Sequence, residues 1–321
     1  MPKLISLASL QWTPLLLLLL GAGAIGAAQG VATPTALLAL PLALLGLNLL
    51  AAIVANATFR AQPALLVFHV ALLGMVVLAG LGRLTYLKGW VELAHGEAFQ
   101  GELTGVEKGW LHGGRLERVV FANEGFVKEY GPDWRGRKTS NPVRWLDDRG
   151  VWRRTVLGEE NSLPLHGYRI YTSSNHGFAP VFVWRQAGRD RPVRGVVHLP
   201  AYPRYREQSN AWTIPGTDIA VLAMLLMEEP VVNAATGGIF PTVPRHRLRV
   251  TVQGETRDLL PGERFPLPRG GELQYVELGA WMGYRVFYEW SRSWLLATCL
   301  VAATSLSWHF WRKFAVNPVK L

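Results

Sequence analysis

The chain has a single cysteine, Cys299, set in an apolar run near the C-terminus. One thiol cannot build an intrachain disulfide, a CxxC redox pair, a CxxCH haem-attachment site or a cysteine-based zinc site. Other signatures are missing as well. No Walker sequence, nucleophile elbow or Ser/His/Asp order occurs, so nothing supports an ATPase or a hydrolase. The histidines show no HExxH or HxH spacing, and so no metal motif. There is no internal repeat and no low-complexity linker. The 33 Lys and Arg outnumber the 23 Asp and Glu, but they are scattered among Trp and Pro and form no run. That scatter suits a solvated surface facing anionic headgroups or an acidic partner. It does not suit a nucleic-acid stripe.

What the chain has in quantity is apolar length. Half of its 321 residues are hydrophobic. The runs 12 to 29, 36 to 55, 63 to 84 and 293 to 310 each come close to the ~20 residues a helix needs to cross the hydrocarbon. The first has a signal-peptide look, with Lys3 before it, a Leu run, and small residues at its end. Two further spans follow at once, which favours a retained helix. Its GAGAIG matches GxGxxG, yet no strand precedes it, so close helix packing explains it better than a dinucleotide site. Pro41, Gly46 and Asn48 lie within the second run. Trp290, Trp294, Trp308 and Trp311 bracket the last, which is the aromatic-belt pattern.

Between the third and fourth runs lie about two hundred residues of short alternating segments separated by Gly, Pro, Asn and Asp. WVEL (90–93), RLERVVF (115–121), GYRIYTSS (167–174), PVFVWR (180–185), VRGVVHL (193–199), RLRVTVQ (247–253) and YRVFYEW (284–290) read as strands of a mostly antiparallel domain. Asp218 to Glu228, rich in Leu, Met and Ala, reads as a helix. The expected class is therefore an α+β membrane protein. Its four transmembrane helices, three N-terminal and one C-terminal, flank a large extracytoplasmic β-rich domain. The expected boundaries are 1–87, 88–290 and 291–321.

Four spans put both termini on one side. That side carries Lys3, Arg60, Arg312, Lys313 and Lys320 with no acid among those segments, whereas the loop 31–35 has no charge. The positive-inside rule places both termini in the cytoplasm and the β-rich domain outside. Arg83 and Lys88 count weakly against this.

His69 stands a short way inside the third run, roughly 9 Å along a helix that starts at Pro63. An ionisable residue at such a place marks a functional site by default. Neutral imidazole is a good ligand for haem iron. The plainer alternative is a buried histidine bonded to a neighbouring helix. Asn48 comes to a similar depth on the second run. It is a candidate to fix the imidazole tautomer, or else an ordinary interhelical hydrogen bond. His309, between Trp308 and Phe310, is a second candidate ligand or an interfacial residue. His95, His112, His166, His176, His198 and His246 belong to the β-rich region. His95 and His176 read as surface loop residues, the alternative being a contact with haem or a partner. Asp147 and Asp148 precede Gly150 in a hairpin turn, with Arg153 and Arg154 balancing their charge.

At LNLLA (47–51), FHVALLG (68–74), KGWVELAHGEAF (88–99) and the stretch from Asn141 to Pro180, the chain resembles the ResB (CcsB) family of System II cytochrome c biogenesis. The order of three spans, external domain and one span is also similar. Two departures stand out. The external domain is shorter than is typical, and YEWSRS (288–293) replaces the family's turn before the last span. The resemblance implies a multi-pass protein of the bacterial cytoplasmic membrane. It would move haem b across the membrane with a ResC/CcsA-type partner and help deliver it to apocytochrome c, with a thioredoxin-like thiol reductant nearby. It implies that His69 is the transmembrane haem ligand, completed by a histidine from the partner. The tryptophan-rich haem-handling loop of ResC is lacking, so ligation is not assigned to this chain alone. Two other readings stay open: a membrane-tethered β-domain scaffold that binds no haem, and an electron-transfer haem protein using His69 and His309.

Overall fold

The computed structural model describes residues 11–316, except 187–190, 243–244 and 269 and the side chains of residues 60, 186 and 316. Lys3, Lys320 and the side chain of Arg60, used above for orientation, lie outside the described residues. The chain divides into two compact units. One comprises Met1–Lys88, Glu107–Gly114 and Phe287–Leu321, the other Gly89–Val106 and Arg115–Val286.

The first unit is helical. It contains α1 (Trp12–Ala28), α2 (Pro34–Ala55), the short α3 (Ala57–Ala61), α4 (Pro63–Thr85) and α5 (Arg292–Val316). Local chemistry sets the ends. Thr33 caps α2 by accepting from the Ala36 N–H at 3.4 Å, and Asn56 caps α3 by accepting from the Thr58 N–H at 3.0 Å. Pro34 and Pro63 open α2 and α4, where a missing N–H costs nothing. Small residues set the packing. A Cβ on Gly23 would lie 2.8 Å from the Leu37 carbonyl, so only glycine lets α1 approach α2 this closely. Gly74 faces Thr298 and Gly82 faces Ser291, which runs α5 antiparallel to α4.

By length and composition, α2 and α4 are apolar enough to cross a membrane, and α1 is apolar but shorter. At 25 residues α5 has the length, yet it is the least apolar of the four. Only 22% of the most apolar window of α2 and 11% of that of α4 are buried, so neither is the core helix of a water-soluble fold. Leu18, Leu40, Val70 and Leu300 stand exposed on these helices. Exposed apolar surface of this extent needs an apolar solvent, and the unit is accordingly membrane-associated.

Most of the remaining chain forms strands. They are β1 (Leu87–Ala94), β2 (Thr104–Lys108), β3 (Phe121–Asn123), β4 (Val127–Tyr130), β5 (Gly136–Leu146), β6 (Trp152–Leu157), β7 (Leu163–Leu165) and β8 (Tyr168–Gln186). After these come β9 (Val193–Val196), β10 (Ser209–Thr213), β11 (Ala220–Met227), β12 (Gly238–Phe240), β13 (His246–Val252), β14 (Glu255–Leu259), β15 (Arg264–Pro266) and β16 (Gly271–Tyr288). The largest sheet has the order β2-β1-β16-β8-β7, with β15 on β16 and β9 on β8; the others are β10-β11-β13-β14 and β12-β4-β5-β3, with β6 on β5. Fully buried Phe121, Tyr168, Phe178, Phe182, Tyr275 and Tyr284 fill the core.

Three sequence expectations need correction. Asp218 to Glu228 is no helix, because β11 lies between β10 and β13 in antiparallel register. Val221, Ala223 and Leu225 are buried in alternation, so the period of two and the strand partners override the helix propensity of Leu, Met and Ala. The stretch 115–121 contains a 3₁₀ turn at Leu116–Arg118, and its strand begins only at Phe121. The segments 167–174 and 180–185 are one strand, β8, which passes unbroken through Asn175, His176 and Gly177. A Cβ on Gly177 would meet Trp281 Nε1 at 2.6 Å, so glycine there is a packing requirement, not a turn.

Candidate functional site

His69 sits on α4, and its Nδ1–H donates to the Leu65 carbonyl one turn back, at 2.8 Å. A carbonyl accepts only, so the proton is on Nδ1 and the lone pair on Nε2. That is the tautomer of a metal-ligating imidazole with a backbone carbonyl behind it. Phe59 packs on the ring at 4.2 Å between centroids, and Phe68 meets it edge-on at 5.2 Å. His69 lines a largely apolar cavity of about 790 Å³ with Thr13, Asn48, Phe59 and Met75, so α1, α2 and α4 all contribute to it. Its volume is within the range of small-molecule and cofactor sites. The donor set fits a haem iron in chemical type, since it is one imidazole nitrogen in apolar surroundings.

Asn48 is buried, at 6% exposure, and lines the same cavity. Its carbonyl oxygen accepts from the Thr13 hydroxyl at 2.9 Å, which ties α2 to α1. The imidazole's N–H partner is thus the Leu65 carbonyl, while the Asn48 oxygen serves the helix pair. His309 lines a separate cavity of about 420 Å³ with Ala61, Gln62, Pro63, Ala64, Arg312 and Lys313. The structure therefore brings Asn48 and His69 to one cavity and puts His309 at another.

In the β-rich unit His176 is not a surface loop residue as expected. It is 1% exposed, in the middle of β8. Its Nδ1–H donates to the Ser174 carbonyl at 3.0 Å, and its Nε2 accepts from the Tyr130 hydroxyl at 2.6 Å. Phe126 and Phe240 pack edge-on against it. Burial, helped by the nearby Lys128 charge, holds its pKa down at about 4. Burial likewise pushes the Tyr130 hydroxyl up. This is a neutral, fully bonded core histidine.

His95 is exposed and lines a surface cavity of about 660 Å³ with Asn123, Glu124, Arg144 and Arg154. Behind that cavity lies a buried polar chain missed by reading the sequence. The Tyr284 hydroxyl donates to Asn141 Oδ1 at 2.8 Å, Asn141 Nδ2 donates to Asn123 Oδ1 at 2.9 Å, and Asn123 Nδ2 donates to the Leu93 carbonyl at 2.9 Å. Asn141 in NPVRWL was the available signal: an amide on a buried strand position requires partners. The other histidines have structural contacts. His198 stacks on Trp281 and lies 3.2 Å from Glu92, His166 lies 3.2 Å from Asp148, and His112 donates to the Thr85 carbonyl at 2.7 Å. Asp147 closes the β5–β6 turn as read from the sequence. Its carboxylate accepts from the Arg149 and Val151 N–H groups, both at 2.9 Å, and pairs with Arg153 at 3.0 Å. These hydrogen bonds, that from Val151 first, hold its pKa below the usual carboxylate range.

Fold and site together define a membrane-associated α+β protein with one imidazole set in an apolar, helix-lined cavity. No family model matches the chain, and no curated protein matches it. Among solved structures the chain is similar to a cytochrome c haem lyase, CcmF, at 15% identity over 94% of this chain and 35% of that one, with a TM-score of 0.28. The chain thus spans about a third of the length of that protein, and a score this low establishes no shared fold.

Proposed function

We propose that the chain is the ResB-type membrane subunit of a System II cytochrome c synthetase complex. In this reading α1, α2, α4 and α5 all span the cytoplasmic membrane, the termini are cytoplasmic, and the β-rich unit is on the outer side. His69 holds haem b in transit through Nε2, and a ResC/CcsA-type partner supplies the second axial ligand. Apocytochrome c receives the haem, with a thioredoxin-like reductant keeping its thiols free. Haem is cargo here, and this chain's own residues hold and orient it without a covalent step.

One observation carries the proposal. The imidazole of His69 is bonded to the Leu65 carbonyl through Nδ1, which leaves Nε2 as the ring nitrogen available to a ligand, and the residue lines an apolar cavity. A histidine kept merely for packing has no need of such a cavity. The resemblance at FHVALLG and KGWVELAHGEAF supplies the identity of the ligand and partner. Arg83, one of the two charges that count against the orientation, has a structural employment of its own with Glu107 and Thr35.

The test is to purify the chain co-expressed with its ResC-type partner and record the haem spectrum. His69→Ala is expected to lose most of the bound haem, and added imidazole to restore part of it. Unchanged haem content in that variant would overturn the ligand assignment.

A further inference from the structure

The cavity at His309, of about 420 Å³, lies between the start of α4 and the end of α5. Arg312 and Lys313 line it beside His309, on the last turns of α5, opposite the first residues of α4. Among the described residues neither Arg312 nor Lys313 has an ion-pair partner. The helical unit contains two carboxylate side chains, Glu107 and Glu289. Both are committed at the other end of these helices: Glu107 with Arg83 at 2.7 Å, and Glu289 with Arg292 at 4.0 Å. No carboxylate side chain occurs in residues 1–88 or 290–321. The cations at this end therefore face a cavity without a side-chain counterion from their own helices. The start of α4 adds to the positive field, since Gln62 puts no side-chain cap on it.

The surroundings indicate what kind of anion fits. Trp308, Phe310, Trp311 and Phe314 are exposed around the same turns. Exposed Trp beside a cationic helix end is the chemistry of the headgroup level. Basic pockets between spanning helices at that level take anionic headgroups. We propose that the cavity lined by His309, Arg312 and Lys313 binds the phosphate of an anionic phospholipid, one headgroup in a defined seat. His309 provides a hydrogen bond and the two cations provide charge. This role rests on the proposed spanning of α4 and α5 and is independent of the haem reading.

The full chain, purified and delipidated in a neutral detergent, tests the site. Its thermal unfolding is followed with added phosphatidylglycerol, with phosphatidylcholine, and with inorganic phosphate. Phosphatidylglycerol is expected to raise the midpoint, and the other two are not. In Arg312→Gln/Lys313→Gln the apparent affinity is expected to fall about twenty-fivefold, from about fivefold per cation. Arg292→Gln, at the other end of α5, is expected to leave it unchanged. If the double variant does not fold, native mass spectrometry of the wild type gives the count: one retained phosphatidylglycerol supports the seat, and an unresolved distribution of lipids overturns it. Equal stabilisation by inorganic phosphate would overturn the lipid as the source. Equal stabilisation of wild type and double variant by phosphatidylglycerol would overturn the site.

Discussion

Arg83 and Glu107 form an ion pair at 2.7 Å, in which the guanidinium also donates through Nε to the Thr35 hydroxyl at 3.1 Å and lies 4.4 Å over the Tyr86 ring. The pair joins the end of α4, the start of α2 and the segment Glu107–Gly114. Its side chains are 17% and 34% exposed, between a surface pair and a buried one. Removing one partner from such a pair costs more than the ~1 kcal/mol of an exposed bridge and less than the ~3–5 kcal/mol of a buried one. Glu107→Ala is therefore expected to lower stability by about 2 kcal/mol, and Thr35→Val by about 1 kcal/mol. Unfolding in detergent measures both. A Glu107→Ala midpoint equal to wild type would show that the pair holds nothing together.

Thr13 and Asn48 make an interhelical hydrogen bond of the kind that averages about 0.6 kcal/mol inside membranes, with a maximum near 1.7. Thr13→Val and Asn48→Ala are each expected to cost that much. The double variant is expected to cost no more than the larger single change, because both remove the same bond. Haem retained by the co-purified complex is expected to persist in Asn48→Ala while it is lost in His69→Ala. A haem loss in Asn48→Ala as large as in His69→Ala would assign the amide to the ligand site itself.

The helices were legible because apolar length and bracketing tryptophans are local signals. Gly23 was legible for the same reason, as one of a cluster of small residues. His69 stood out as an ionisable residue in an apolar run. What stayed hidden depends on contacts far apart in sequence. The Asp218–Glu228 stretch has helix-forming residues, and only its neighbours β10 and β13 make it a strand. His176 reads as a loop residue beside Asn175 and Gly177 until Tyr130, 46 positions earlier, is placed against it. Asn48 was legible as a polar residue in an apolar run, but its bond with Thr13 depended on how α1 docks.

His176 gives the β-rich unit a pH dependence with a definite sign. In the folded chain burial keeps the imidazole neutral down to about pH 4, against an ordinary value of 6.5. Between those values the unfolded chain binds the extra proton, so stability rises with pH across that window. It is complete above pH 6.5 and is lost as pH falls toward 4. The full loss is about 3 kcal/mol at 1.36 kcal/mol per pKa unit, and about 2 kcal/mol of it is gone by pH 5. Denaturant unfolding followed by tryptophan fluorescence at pH 7 and pH 5 measures it. His176→Gln is expected to be less stable at pH 7 and nearly flat between the two. An equally steep loss in His176→Gln would assign the acid sensitivity to other groups.

Tyr284 and Asn141 sit at the buried end of the polar chain that backs the His95 cavity. Tyr284→Phe removes the hydroxyl that donates to Asn141 Oδ1 and leaves a buried acceptor unpaired, which costs about 1–3 kcal/mol. Asn141→Ala is expected to cost more. It also leaves the Gly125 carbonyl without the 2.6 Å bond from Asn141 Nδ2 and takes from Asn123 Oδ1 one of its two donors, at 2.9 Å, the Gly125 N–H at 3.0 Å remaining. The ordering of the two losses in chemical denaturation is the readout. Tyr284→Phe keeps the ring on Phe121, at 5.2 Å, so a larger loss than that of Asn141→Ala would mean that the hydroxyl does more than donate to Asn141.

Glu160 and Phe314 lie in different units, both exposed, and the proposed topology puts them on opposite sides of the membrane. Cys299 makes the test clean, because it is the one native thiol and Cys299→Ser gives a cysteine-free background. In intact cells whose outer barrier has been opened, a membrane-impermeant maleimide is expected to label Glu160→Cys directly. Phe314→Cys is expected to label only after the cytoplasmic membrane is permeabilised. Native Cys299, two turns into α5, is expected to resist the reagent in both conditions and to react once the chain is unfolded in detergent, since thiolate chemistry needs water. That last result bears on α5 directly. Its Thr, Ser and His content makes it the least apolar of the long helices, and rapid labelling of Cys299 in membranes would remove it from the spans and put the C-terminal basic turns on a surface instead.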